Sequence, residues 1–92
     1  DMHSPIEVVS GKGLKADLRE IQITPSSPAV NKAIYKLKLP AAYLIILVFR
    51  DGEYIQPNGS LELKPGDILF SLSEEEIYQQ AQAILNGSVT ST

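Results

Sequence analysis

The 92 residues make one domain, and a chain of this length buries only about 60–65% of its unfolded surface, so its own core must be thin. Eight Lys and Arg, scattered along the chain, stand against eleven Asp and Glu; a net charge of −3 with no basic cluster argues against a nucleic-acid partner. The absence of cysteine excludes disulfides and thiolate metal sites and agrees with a cytosolic location.

The longest apolar run is Ala41 to Phe49, and a bilayer-spanning helix needs about 20 such residues, so no direct membrane insertion is expected. The chain opens on Asp1-Met2 and lacks a basic segment followed by an apolar one. It is therefore read as a piece of a longer protein, without a signal peptide.

Residues 1–13 are weakly patterned. Ile6, Val8 and Val9 suit a short strand before Gly11-Lys12-Gly13, and a lead-in or linker from an upstream region fits as well. The domain proper is placed at 14–87. Within it, Ile21 and Ile23 alternate with polar neighbours, as a half-buried strand requires, and Thr24-Pro25-Ser26-Ser27-Pro28 stops that strand. Ser27-Pro28 then reads as a helix start: the hydroxyl can accept from an orphan N–H, and proline at the first helical position wastes no donor. Val30, Ala33, Ile34 and Leu37 fall on one face of a helix over Pro28–Lys38, and Leu39-Pro40 ends it.

Tyr43–Phe49 is short enough for a strand and too apolar to have a wet face, so it is expected at the centre of the sheet with both faces covered. One cover would be the helices. The other must come from outside so small a chain, which points to a second copy and a homodimer. Asp51-Gly52 is a two-residue hairpin turn returning through Tyr54 and Ile55. Pro57-Asn58-Gly59 turns again, and Leu61 and Leu63 alternate as a short strand. Lys64-Pro65-Gly66-Asp67 suits a type II turn, with Ile68–Leu72 the last strand. Ser73-Glu74-Glu75-Glu76 has the form of a capping box opening a helix over Glu74–Leu85. Its buried stripe is Ile77, Ala81, Ile84 and Leu85; Asn86-Gly87 stops it, and residues 88–92 form a frayed tail. The fold class is thus α+β: a small, mostly antiparallel sheet of about four strands with two packed helices.

No group of residues reads as a catalytic centre or a metal site. His3 is the sole histidine, and with Glu7 alone it is better read as part of a loose tail than as a metal ligand. Glu74, Glu75 and Glu76 are explained by helix capping, and Asp51 and Asp67 by turns. Gly11-Lys12-Gly13 lacks the spacing of a phosphate loop. The chain is read as not an enzyme. Tyr35 and Tyr78, if exposed, are candidate contact residues.

Taken in order, Leu18-Arg19-Glu20-Ile21, Ser27-Pro28-Ala29-Val30 with Lys32, Leu39-Pro40, Arg50-Asp51-Gly52, Pro57-Asn58-Gly59-Ser60, Leu63 and Pro65-Gly66-Asp67 resemble the TrkA C-terminal (RCK-C) regulatory domain family. The lead-in Gly13-Leu14-Lys15-Ala16-Asp17-Leu18 looks most like the version attached to bacterial cation/proton antiporters. One departure is visible: Asn31 stands where the family commonly has glycine. The resemblance implies a dimerising regulatory domain of a potassium or other monovalent cation transport protein, on the cytoplasmic side of the membrane. Its partners would be a second copy and the membrane transport domain or subunit of the parent protein. It also implies a small regulator, such as a cyclic dinucleotide, in the cleft between copies, with Ala29, Val30, Asn31 and Lys32 as candidate ligand-binding residues. A helix N-terminus and Lys32 would favour an anion there. The alternative is a ligand-free dimerisation module of a transport or transcription-regulating protein.

Overall fold

The computed structural model describes residues 6–9 and 15–87. His3, the Gly11-Lys12-Gly13 break and the tail after Gly87 lie outside the described residues. Among the described residues, five strands form one antiparallel sheet: β1 (Ile6–Val9), β2 (Lys15–Gln22), β3 (Leu44–Arg50), β4 (Glu53–Ile55) and β5 (Ile68–Ser73), in the order β1-β2-β5-β3-β4. A 3-10 helix, Ile34–Leu37, precedes β3, and one α-helix, α1 (Glu75–Asn86), follows β5. The short strand at Ile6–Val9 is formed and pairs with β2.

The hairpin and the type II turn form as their residues require. Asp51 and Gly52 both take positive φ (50° and 80°), the condition for the tight turn joining β3 to β4. Gly66 sits at φ 90° in the third position of its turn, and Asp67 N donates to Lys64 O across it.

Four expectations are corrected. The central strand is β5; the apolar run lies beside it in β3, with a bulge between Ile45 and Leu47. The helix over Pro28–Lys38 is replaced by turns and the four-residue 3-10 helix. Leu61–Leu63 makes only an isolated bridge, Ala33 with Glu62, and no strand. The capping box does not form. Ser73 is held in β5 by its register with Asp17, so the helix begins after Glu74, which makes no side-chain cap. The stop is as read, with Gly87 at φ 83° as the C-cap.

Antiparallel register sorts the sheet's side chains into two faces. The inner face carries Ile21, Leu69 and Val48 in one rung and Arg19, Ser71 and Ile45 in another. Its apolar members pack with Ile23, Ala29, Tyr43, Leu63, Ala81 and Leu85 into the core beneath α1. The outer face carries Leu18, Leu72 and Leu44; then Glu20, Phe70 and Leu47; then Gln22, Ile68, Phe49 and Tyr54. None of its apolar residues belongs to the core cluster or packs against it. Phe49, Tyr54 and Phe70 form an aromatic row there, with centroids 4.9 and 6.5 Å apart. Tyr54 is 67% exposed, Leu44 56% and the bulged Ile46 41%. Among the described residues, the expectation of a strand covered on both faces is therefore met on one face only.

A candidate ligand cleft and pairing face

The segment from Ser27 to Pro40 builds the candidate site. Ser27 Oγ accepts from Ala29 N at 2.9 Å, the cap expected of it, and also donates to Leu85 O at the end of α1. Propagation as an α-helix stops there because other backbone groups take the donors. Asn31 N donates to Leu63 O, Ile34 N to Leu61 O and Tyr35 N to Gly59 O, while Leu63 N returns a bond to Lys32 O. Asn31 and Lys38 sit in the left-handed region, at φ 65° and 56°. Asn is among the residues that tolerate that region best. This explains the departure at Asn31: the position needs the conformation that glycine adopts freely.

Two depressions flank the 3-10 helix and share Tyr35 in their linings. The first, about 380 Å³, is walled by Ile34, Leu39, Pro40, Ala41, Tyr43, Ile45 and Pro57, with Lys38 and Asn58 as its polar members. The second, about 540 Å³, is lined by Asn31, Lys32, Ala33, Lys36, Ser60 and Glu62. Lys64 Nζ donates to Asn31 Oδ1 at 2.9 Å beside it. Tyr43 and Ile45 line the apolar cleft, and Leu44 between them belongs to the exposed outer face, so the start of β3 contributes to both sides of the sheet.

The four residues expected at the site part company. Ala29 is fully buried in the core and Val30 packs against it, while Asn31 and Lys32 line the polar depression. Tyr35 is 62% exposed between the two depressions; Tyr78 is half-buried beneath Arg19, whose guanidinium lies 4.7 Å from its ring centroid. Sequence reasoning missed Ile34, Leu39, Pro40, Tyr43 and Pro57 as cleft residues. They converge only because 31–35 bonds to 59–63, a contact no local pattern announces.

The strongest electrostatic feature holds the scaffold together. Asp67, 1% exposed, accepts from Arg50 Nε at 2.9 Å, Arg50 Nη2 at 2.8 Å and Lys64 N at 2.8 Å. The hydrogen bonds to Asp67 hold Arg50 above the usual arginine range. Burial pushes the Tyr43 phenol up to about 12; the Ser71 hydroxyl pulls the other way without meeting hydrogen-bond geometry. Among the described residues, no three acidic, histidine or cysteine side chains cluster as a metal would need, and no helix is long and apolar enough to cross a membrane.

The family model of the TrkA-C domain matches residues 18–86. The chain belongs to the TrkA-C domain family. A Trk system potassium uptake protein TrkA homolog from Archaeoglobus fulgidus is 34% identical over 85 residues. That alignment covers 92% of this chain and 20% of the relative, so the chain spans about a fifth of that protein's length. Three solved structures share the TrkA-C fold seen here. An RCK domain with cda matches at 24% identity and TM-score 0.66, over 74% of this chain and 96% of that one. The RCK_C domain dimer of S. agalactiae BusR in complex with c-di-AMP matches at 22% and 0.67, over 76% and 90%. S. agalactiae BusR with its busAB-promotor DNA matches at 21% and 0.68, over 80% and 38%. At these identities the likeness speaks to the fold.

Proposed function

We propose that this TrkA-C domain is the regulatory module of a monovalent cation transport protein, working as a pair of copies on the cytoplasmic side of the membrane. The observation that carries the pairing is the apolar outer face, which lies outside the core among the described residues. Contiguous exposed apolar surface on a small domain marks interaction sites. A second copy laid against it would cover Leu44, Phe49, Tyr54 and Phe70 of both chains. The module spans 14–87, with 1–13 as the lead-in to the rest of the protein and 88–92 as a tail. Potassium is the favoured ion, from the similarity to the TrkA homolog, and a cation/proton antiporter is the favoured parent, from the lead-in Gly13–Leu18.

The two depressions beside the 3-10 helix take a small regulator. The apolar walls of the first suit a planar base, and Lys38 in the first with Lys32 and Lys36 in the second, on either side of Tyr35, suit an anionic group. A cyclic dinucleotide has both, and the BusR dimer with c-di-AMP shares the fold. Such a ligand gates by binding one arrangement of the pair better than another. Calorimetric titration of the purified domain with cyclic di-AMP, and with other nucleotides as controls, tests this. Saturable heat at one site per pair supports it, and no heat with any of them removes the ligand role.

A second reading is a pairing module without a ligand, in a transport or transcription-regulating protein. The fold match to BusR bound to promotor DNA favours keeping it. Titration without heat, together with a stable pair, is its signature. Catalysis has no part in either reading.

A further inference from the structure

The tripeptide Asn-Gly-Ser occurs twice in the chain, at 58–60 and at 86–88. Asparagine before glycine is the sequence most prone to lose its side-chain amide, because a following residue without Cβ lets its nitrogen approach the side-chain carbonyl. Identical tripeptides carry the same intrinsic reactivity. A difference between the two sites is therefore set by the fold.

The fold holds them differently. Asn86 is the half-buried last residue of α1, and both ends of its amide are tied to another part of the chain. Nδ2 donates to Gln22 O at 2.8 Å, and Oδ1 accepts from Thr24 N at 3.4 Å. Turning that amide onto Gly87 N requires breaking both bonds and opening the end of the helix. Asn58 lies between β4 and β5, outside any strand or helix, and Asn58, Gly59 and Ser60 are all exposed. Its Oδ1 accepts from Ser60 N at 2.9 Å and from Ser60 Oγ at 2.8 Å, so the amide is tied to its own turn alone. Gly59 N donates to no backbone acceptor among the described residues. Exposed turns of this kind open at little cost in free energy.

We propose that Asn58 is a site of spontaneous deamidation and that Asn86 is protected from it. Gly59 N gives its proton to solvent base and attacks Asn58 Cγ. The new N–C bond closes a five-membered imide, and Nδ2 takes a proton from solvent and leaves as ammonia. One water then opens the ring, at Cγ to give aspartate or at the main-chain carbonyl to give isoaspartate. Either product places a carboxylate in the lining of the apolar cleft, which also holds Lys38. Isoaspartate in addition lengthens the main chain just ahead of the Gly59 carbonyl, which accepts from Tyr35 N at 2.9 Å. The covalent step stands on the turn alone. Its consequence for an anionic ligand rests on the reading that the depressions take a small regulator.

The whole chain is incubated at mildly alkaline pH, folded and, in parallel, unfolded in guanidinium chloride. Peptide mass spectrometry follows conversion at each asparagine, and a protein isoaspartyl methyltransferase measures the isoaspartate formed. Each folded rate is compared with the unfolded rate of the same site. Asn58 should stay within about threefold of its unfolded rate, while Asn86 falls by about tenfold or more. Protection of Asn58 as deep as that of Asn86, or conversion of Asn86 ahead of Asn58, overturns the proposal. Gly59→Ala adds a Cβ 3.6 Å from that of Tyr35, an ordinary contact, and should slow Asn58 by about threefold or more. An unchanged rate in that variant overturns the route through Gly59 N. Cyclic di-AMP is titrated in parallel into the parent and into Asn58→Asp. Weaker binding to the variant supports the effect of the added charge, and equal binding overturns it. Binding to neither removes the ligand reading and leaves the modification to be judged by the rates alone.

Discussion

Asp67 and Arg50 join three parts of the chain: the end of β3, the turn before β5, and the 59–63 segment, through a bond from Arg50 Nη2 to Glu62 O at 2.9 Å. Removing one partner of a buried pair leaves the other charge uncompensated, at a cost of about 3–5 kcal/mol. Arg50 is 24% exposed, so Asp67→Ala should fall near the lower end, about 3 kcal/mol by urea denaturation. Lys64 and Glu62 lie 3.6 Å apart and are 44% and 58% exposed, so Glu62→Gln should cost under about 1 kcal/mol. Equal losses would contradict the ranking. Gly66→Val places a β-branched residue at φ 90° and should lower the melting temperature, with strain of about 1–3 kcal/mol. An unchanged melting temperature would refute that turn. Tyr43 adds a pH dependence. With its folded value raised to about 12 and an unfolded value near 10, the folded phenol keeps its proton where the unfolded one has lost it. That contribution, on the order of 2 kcal/mol, is complete below about pH 10 and is lost as pH rises toward about 12. Tyr43→Phe should remove this part of the fall between about pH 10 and about pH 12, and an identical fall in both proteins would contradict it.

At the scale of elements, Pro28–Lys38 is the instructive segment. Its apolar spacing and Ser27 cap were legible and correct as signals of a buried face, since Val30, Ile34 and Leu37 do pack against the core. They were insufficient to specify an α-helix, because tertiary hydrogen bonds from 59–63 outcompete the helical ladder. Asn31, with its tolerance of positive φ, was the residue that could have warned of the break. Leu63, 0% exposed, anchors the capturing segment. Leu63→Ala should cost about 2–5 kcal/mol and speed exchange of the Asn31, Ile34 and Tyr35 amides together. Protection of those amides in a destabilised variant would place their restraint elsewhere. The turns at Asp51-Gly52 and Pro65-Gly66 were legible because positive φ is written locally in glycine. Strand order was not, since placing β5 between β2 and β3 depends on contacts between distant residues. The cleft shares that fate: Tyr35, Pro40, Tyr43 and Pro57 meet only after the chain has folded.

At the scale of the whole molecule, the sheet has one face packed by α1 and the 27–40 segment and another bearing Leu44, Phe49, Tyr54, Ile68, Phe70 and Leu72 outside the core. The apolar run Tyr43–Phe49 foretold this, since a strand without polar alternation has no side suited to water. Among the described residues, the single α-helix packs on the other face. Stable association should bury about 1,200–2,000 Å² in all. On the proposed reading, a ligand beside the 3-10 helix would then bias how two copies sit. The decisive measurement is sedimentation velocity of the isolated chain at about 10 μM, without ligand, where a standard interface holds. A chain of 10.0 kDa should sediment as a pair of twice that mass. A lone 10.0 kDa species at that concentration would mean the bare face belongs to some other partner.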